Sequence, residues 1–167
     1  MYESERESGI THFLEHVLVR NVNRIYDGKL YSRLDCLGIE FNASTYAEMV
    51  QFYTSGADIN FNEGARVISS ILHPIILSVS DIDAERRRIK AEIRENDDKN
   101  SMPSFALEST NPDTSLKNYI IGTNKSVSTI TKKKLEEYRK SLFTSENTFV
   151  YVSGNFTEDD IRTLVDL

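Results

Sequence analysis

His12, Glu15 and His16 stand together in the segment Gly9-Ile-Thr-His-Phe-Leu-Glu-His-Val-Leu18 and form an H-x-x-E-H cluster. On a helix, at about 100° of rotation per residue, the three fall within one arc roughly 100° wide, while Phe13, Leu14, Val17 and Leu18 point elsewhere. Two imidazoles four residues apart can therefore reach one metal ion. Glu15 lies beside that ion, better placed to hold a water than to coordinate. A zinc-bound water has its pKa lowered to roughly 7, and a neighbouring carboxylate can take its proton at neutral pH, which is the chemistry of peptide-bond hydrolysis. The order inverts the commoner zincin H-E-x-x-H but keeps the i, i+4 histidine pair. The competing reading makes each histidine an ordinary hydrogen-bonded residue; against it, the chain has three histidines and two sit in this window. His73, before Pro74, has no acidic or cysteine neighbour and reads as structural.

A catalytic zinc normally takes three protein ligands and a water, so a second element must supply one more. The segment Ser80 to Glu95 reads as a helix, with Ser80 as N-cap, Asp83 three residues on, and no internal Gly or Pro. Ile82, Ile89 and Ile93 mark its buried face, and Glu85 and Glu92, seven residues apart (92 − 85 = 7), fall on the same stripe. A carboxylate on a buried face is costly unless it is paired or bound to metal. Periodicity does not decide between a metal and an ordinary ion pair of Glu92 with Arg88, worth about 0.3–0.5 kcal/mol.

The elements around these residues are mixed. A helix carries the H-x-x-E-H, and another, about residues 29 to 37, ends at Gly38. Residues 39–46 and 49–55 read as two strands joined by Ala47-Glu48, a hairpin. Helices follow at about 62–72 and 81–97, then a less regular stretch with Pro103 and Pro112. A helix over 131–142, a strand over 148–153 and a helix from Thr157 complete the pattern. Helices and antiparallel strands in this order give an α+β fold, one sheet with helices on a face.

With 167 residues, 39% hydrophobic and 28% charged, the chain can build a core. A net charge of −6 gives no broad attraction for phosphate backbones, and Lys132-Lys-Lys134 is followed by Glu136 and Glu137, a solvated helix face rather than a nucleic-acid patch. No apolar run is long enough for a membrane helix, so neither nucleic acid nor membrane is an expected partner. The single cysteine, Cys36, excludes an internal disulfide and fits a reducing, cytoplasmic setting; it is expected to be buried and inert.

His-Phe-Leu-Glu-His at 12–16, Asn42-Ala-Ser-Thr45, Glu85 with Glu92, Ile121-Gly-Thr123, Thr129-Ile-Thr131, Tyr138 and Val152-Ser-Gly154 together resemble the pitrilysin-type M16 metallopeptidases. That family includes insulin-degrading enzyme and the mitochondrial processing peptidase. The resemblance runs over nearly the whole chain, and the interval from His16 to Glu92 (92 − 16 = 76) is close to the family's spacing. It departs after the second histidine, where Val17-Leu-Val-Arg-Asn21 replaces the family's frequent Met and Phe-Lys-Gly-Thr-like run.

The resemblance implies a mainly antiparallel sheet covered by helices, the M16 peptidase or LuxS-like metallohydrolase fold. It implies one zinc ion held by His12, His16 and Glu92, with Glu15 as general base and Glu85 as a second acidic residue supporting the site. Asn42 and Ala43 would contact a peptide substrate bound extended by β-augmentation; read without the family, Asn42 merely satisfies local backbone groups. One or two strands normally precede the metal helix in the family, and the chain ends within an apparent helix. A single M16-type catalytic domain over 1–167, truncated at both ends, is therefore expected. So is a second M16-like domain or subunit, on the same or a separate chain, without which the chain should bind zinc but hydrolyse peptides poorly. Rival readings are a non-catalytic M16-fold scaffold subunit and a peptide-binding module.

Overall fold

Helix α1 (Ile10–Ile25) is central because one of its faces is unbroken hydrocarbon: Ile10, Phe13, Leu14, Val17, Leu18 and Val22 are each at most 1% exposed. Burying side chains of this size contributes about 1.5–3 kcal/mol each, so this stripe dominates the packing. The computed structural model describes residues 3–95, 102–110, 114 and 119–167. Gly9 precedes α1 and has no side chain to cap it, so Glu3 does the work: its two carboxylate oxygens accept from the Gly9 and Thr11 amides at 2.7 and 2.9 Å. A negative group at this end also complements the helix dipole.

The start of α1 is fixed by two glycines back to back. Gly9 and Gly122 both have positive φ, 87° and 78°. A Cβ on Gly9 would lie 2.6 Å from the Ile121 carbonyl oxygen, and one on Gly122 would collide with the Ser8 carbonyl oxygen. Gly122→Ala is therefore expected to cost about 2–4 kcal/mol, the sum of a left-handed backbone penalty and an overpacked backbone contact. Urea unfolding measures this, and a loss below about 1 kcal/mol would show that the crossing is looser than described.

Helix α2 (Leu30–Leu37) stops at Gly38 in the left-handed conformation, as expected from its sequence. Strands β1 (Glu40–Thr45) and β2 (Val50–Ser55) form the expected antiparallel hairpin, with Asn42 opposite Tyr53 and Ala43 opposite Phe52. Phe41 and Thr45 turn toward α1, and Thr54 of β2 meets Gly64 of α3 (Phe61–Ser69), where a Cβ would lie 3.0 Å from the Thr54 hydroxyl. On the opposite face Glu40, Asn42, Gln51 and Ser55 are exposed. The fold is α+β, helices covering one face of an antiparallel sheet.

After α3 a short 3-10 turn leads to residues 74–77, which are tied to α1 by Asn21. That side chain is fully buried; its Nδ2 donates to the Pro74 carbonyl at 3.0 Å and its Oδ1 accepts from the Ile76 amide at 2.8 Å. Asn21 thus supplies the partners that buried irregular backbone needs. Helix α4 (Val79–Glu95) begins one turn-fraction earlier than the sequence suggests, because Ser78 rather than Ser80 caps it: Ser78 Oγ accepts from the Asp81 amide at 3.2 Å while Asp81 Oδ2 accepts from the Ser78 amide at 3.1 Å. Ile82, Glu85 and Ile89 are buried on one side of α4. Arg86, on α4, lies over the Phe13 ring, 5.1 Å from its centroid, and donates to the carbonyls of Val127 and Ile130.

Three expectations are corrected. Residues 102–110 form helix α5 (Met102–Thr110) rather than irregular chain, since Pro103 falls in the first turn, where its missing N–H is harmless; Pro112, and residues 96–97 of the longer α4 expected, lie outside the described residues. Cys36 is exposed, not buried, because the core-facing positions of α2 are Leu30 and Leu34. Residues 148–153 form no strand, and Phe149, Val150 and Tyr151 are 84%, 63% and 81% exposed. β-Propensity is the tendency to fit a pleated surface, and among the described residues no strand lies alongside to provide one. The C-terminal part adds α6 (Asn124–Thr129), α7 (Lys132–Leu142) capped by Thr131, and α8 (Glu158–Asp166) capped by Thr157. Of the three lysines opening α7, Lys133 is solvated, whereas Lys132 donates to the Leu77 carbonyl at 2.8 Å and Lys134 pairs with Glu7 at 2.9 Å. No helix among the described residues is long and apolar enough to cross a membrane.

Candidate metal centre

His12 and His16 leave α1 on the side away from its buried stripe, and Glu92 reaches them from α4. Glu92 Oε2 lies 3.5 Å from His16 Nε2 and 3.9 Å from His12 Nε2, and one donor atom from each residue lies within 4.8 Å of the others. Ligands about 2.0–2.2 Å from a tetrahedral zinc are roughly 3.4 Å from one another, so modest side-chain closure would bring this triangle onto one ion. Two nitrogens and one carboxylate oxygen are also a donor set of catalytic zinc sites. Burial, and then the charge of neighbouring His16, lower the His12 pKa to about 4, so its ring is neutral at pH 7, the form that ligates. The residues fit a zinc ion.

The two imidazoles are held differently. His12 Nδ1 is buried without a hydrogen-bond partner among the described residues, whereas His16 Nδ1 lies 3.4 Å from Glu85 Oε2. Glu85 is 3% exposed, stays out of the metal triangle, and accepts from Arg20 Nη1 at 2.8 Å through its other oxygen. Arg20 in turn donates to Asp81 Oδ1 at 2.9 Å, which closes a chain from the cap of α4 to the ring of His16. Burial pushes the Glu85 carboxyl up, but the hydrogen bonds from His16 and Arg20 outweigh it and its pKa is lowered. Arg88, the alternative partner considered for Glu92, instead approaches Glu85 Oε2 at 3.8 Å.

A carboxylate on the far nitrogen of a ligating imidazole fixes its ring and tautomer, and losing it typically costs 10- to 100-fold in metal affinity. Glu85→Ala should therefore weaken zinc binding by about that factor, read by competition with a chelator. Unchanged affinity would show that Glu85 serves only Arg20.

Glu15 sits beside the two histidines with its Oε2 accepting from the hydroxyl of Thr45. Burial raises its pKa, opposed by that hydrogen bond. Thr45 closes the Asn42-Ala-Ser-Thr segment, so this stretch of β1 touches Glu15 directly. Asn42 makes the local contact: its Oδ1 accepts from the Ala43 amide at 2.9 Å. The Tyr46 amide bonds to the Met49 carbonyl at 2.8 Å, and the alternation of an antiparallel ladder then turns the backbone groups of Phe41, Ala43 and Thr45 away from β2. This edge borders a cleft of about 690 Å³ whose walls include Glu15, His16, Tyr31, Ala43 and Arg88.

The structure thus gathers His12, His16 and Glu92 into one cluster, with Glu15 and Glu85 lining the cleft beside His16 and Asn42 and Ala43 on the adjoining edge. Arg20 and Asp81 are not singled out by the sequence, and Thr45 enters there as the end of the Asn42-Ala-Ser-Thr45 segment without a role. Arg20 had a legible signal, standing four residues after His16 on the same helix face; Asp81 acts across the fold and had none, and for Thr45 nothing in the sequence pointed to Glu15.

The insulinase (peptidase family M16) model matches residues 1–124. An uncharacterized zinc protease of Mycobacterium leprae is 27% identical over 98% of this chain and 37% of its own length. The probable mitochondrial-processing peptidase subunit beta of Arabidopsis thaliana is 25% identical over 96% of this chain and 30% of its own. The chain thus spans little more than a third of the curated relatives it matches. In fold it is similar to the crystal structure of a protease from Helicobacter pylori, with a TM-score of 0.78 and 18% identity over 99% of this chain and 42% of that one. With the family model covering 124 of 167 residues and the zinc-type donor set within it or on the helix it spans, the chain belongs to the M16 peptidase family.

Proposed function

We propose that the chain is the zinc-binding part of an endopeptidase that cleaves peptides bound in extended form. The observation that carries this reading is the convergence of two α1 imidazoles and the α4 carboxylate, with Glu15 beside them. Held by His12, His16 and Glu92, a zinc ion would act as a Lewis acid and bring the pKa of a bound water to about 7. Glu15 is the general base: with Oε2 held by Thr45, Oε1 is the oxygen free to take a proton from the attacking water and return it to the leaving amine. Its raised pKa suits both transfers. Glu85 acts through His16, whose ring it orients. The free edge of β1 receives the substrate backbone at Asn42 and Ala43, the Ala43 amide passing from Asn42 Oδ1 to a peptide carbonyl.

A second M16-like domain or subunit completes the surface that holds the substrate. In support, relatives are about three times the length of this chain, and one is named as a subunit. The test is zinc content followed by cleavage of unstructured peptides, with the complementary half supplied. About one zinc per chain and cleavage that depends on that half are expected; failure of the intact chain to hold zinc at neutral pH would overturn the reading. Stoichiometric zinc with no cleavage of any peptide would favour a scaffold subunit instead.

A further inference from the structure

We infer that the cleft beside the metal centre selects an acidic side chain of the substrate, with Arg88 as the residue that reads it. The inference rests on the peptidase reading for its ligand, an extended peptide, and adds the chemistry of one residue of that peptide. The cleft, about 690 Å³, is several times the volume of one side chain and opens between the β1 edge at Asn42 and Ala43 and the α4 wall at Glu85 and Arg88. A peptide laid along β1 turns alternate side chains to one side, and one of them faces this space.

Six charged residues line the walls, and their partners decide which can serve a ligand. Arg20 is engaged twice, by Glu85 at 2.8 Å and by Asp81 at 2.9 Å. Arg24 leans on Asp81 at 3.4 Å. Glu85 is held by Arg20 and His16, and Glu15 by Thr45. Asp27 lies in the turn after α1, beyond the helix end at Ile25, which is itself nine residues (25 − 16 = 9) and about 14 Å of helix from His16. Arg88 is left: among the described residues its guanidinium meets only Glu85, at 3.8 Å, its side chain is 70% exposed, and through Glu85 it is one carboxylate away from His16.

A guanidinium with most of its five donors uncommitted is a fork for a carboxylate. Tyr31, half exposed on the opposite wall and close enough for Arg88 and Glu85 to influence its phenol, offers a hydroxyl to the same group. The surrounding Asn42, Asn23 and Arg24 make the cleft polar rather than apolar, which argues against a hydrophobic anchor as its occupant.

The experiment scans one extended peptide with Glu, Gln or Lys at each position. It measures binding to the zinc-loaded Glu15→Gln protein and cleavage by the zinc-loaded protein with Glu15 intact. At one position Glu should bind about fivefold tighter than Gln, and tighter still than Lys, the scale of a partly solvated charge pair. Arg88→Glu should invert the Glu-to-Lys ratio, and Arg88→Lys should keep part of the preference; Arg88→Gln, which should abolish it, guards against a reversal that misfolds. Absence of a Glu preference at every position, absence of any binding, or a ratio that Arg88→Glu leaves unchanged would overturn the inference. A Glu preference in binding that vanishes in Arg88→Glu, with no peptide cleaved by the protein carrying Glu15 even when the complementary half is supplied, would sustain the inference and sink the hydrolase reading.

Discussion

Exchanging Glu15 for glutamine is expected to lower the rate of peptide cleavage by about 10²- to 10⁴-fold while zinc stays bound, the range typical of a lost general base. The substitution keeps the size of the side chain, and an amide oxygen can still accept from the Thr45 hydroxyl, so β1 keeps its place against α1. The three ligands belong to other residues, His12, His16 and Glu92, and are not disturbed. What disappears is the Glu15 oxygen not held by Thr45, the group assigned to take and return the proton. The loss should fall on kcat rather than KM, because the β1 edge that holds the peptide is intact. The acidic limb of the pH profile gives a second reading. Burial holds the Glu15 carboxyl above its ordinary range, so protonation of Glu15 should silence the protein as pH falls; the residual activity of Glu15→Gln should lack that limb. A loss below about tenfold, or zinc leaving with the substitution, would mean that Glu15 is not the base.

Sequence showed where these groups lie along the chain, and the fold shows what joins them. The H-x-x-E-H face, the Gly38 stop of α2, the hairpin and the helix starts near Thr131 and Thr157 were readable because each depends on neighbours within a few residues. The stripe shared by Ile82, Glu85, Ile89 and Glu92 announced that both glutamates need partners but not which. Packing separates them: Glu92 faces the two imidazoles, while Glu85, about two turns earlier on α4, is claimed by Arg20 and His16. Nothing local could indicate that Thr45 would reach Glu15, thirty residues away, or that Gly122 would lie against Gly9 at the start of the metal helix. The segment 148–153 failed in the opposite sense, since its residues carry strand propensity and the described chain provides no ladder for them. Cys36 misled for a simpler reason: a cysteine on a short helix follows the face it occupies, not its average preference.

Stripping the metal is expected to leave the chain sensitive to mild acid, and the sign follows from His12. Folded and metal-free, its pKa is lowered from 6.5 to about 4, chiefly by burial. Between those two values the unfolded chain binds a proton that the folded chain refuses, so stability is full above pH 6.5 and declines as pH falls toward 4. The shift of 2.5 (6.5 − 4) corresponds to at most about 3–4 kcal/mol, and with the side chain only 17% exposed there is little solvent to soften it. Against a typical domain stability of about 5–15 kcal/mol this is a large fraction. Glu85 adds to the same trend only lower down: its pKa is depressed, so its contribution is present above the ordinary carboxylate value of 4.5 and lost below it. Acid loss above pH 5 therefore belongs to the histidine rather than the carboxylates. Zinc should reverse the weakness near neutral pH, adding about 2.7 kcal/mol at a hundredfold excess over Kd, and should itself be displaced as protons compete for the imidazoles. Urea unfolding of the metal-free chain at pH 7, 6 and 5 should show midpoints falling at each step, with the slope removed in His12→Leu. Equal midpoints at pH 7 and 5 in the metal-free chain would mean that His12 is not buried as a neutral ring.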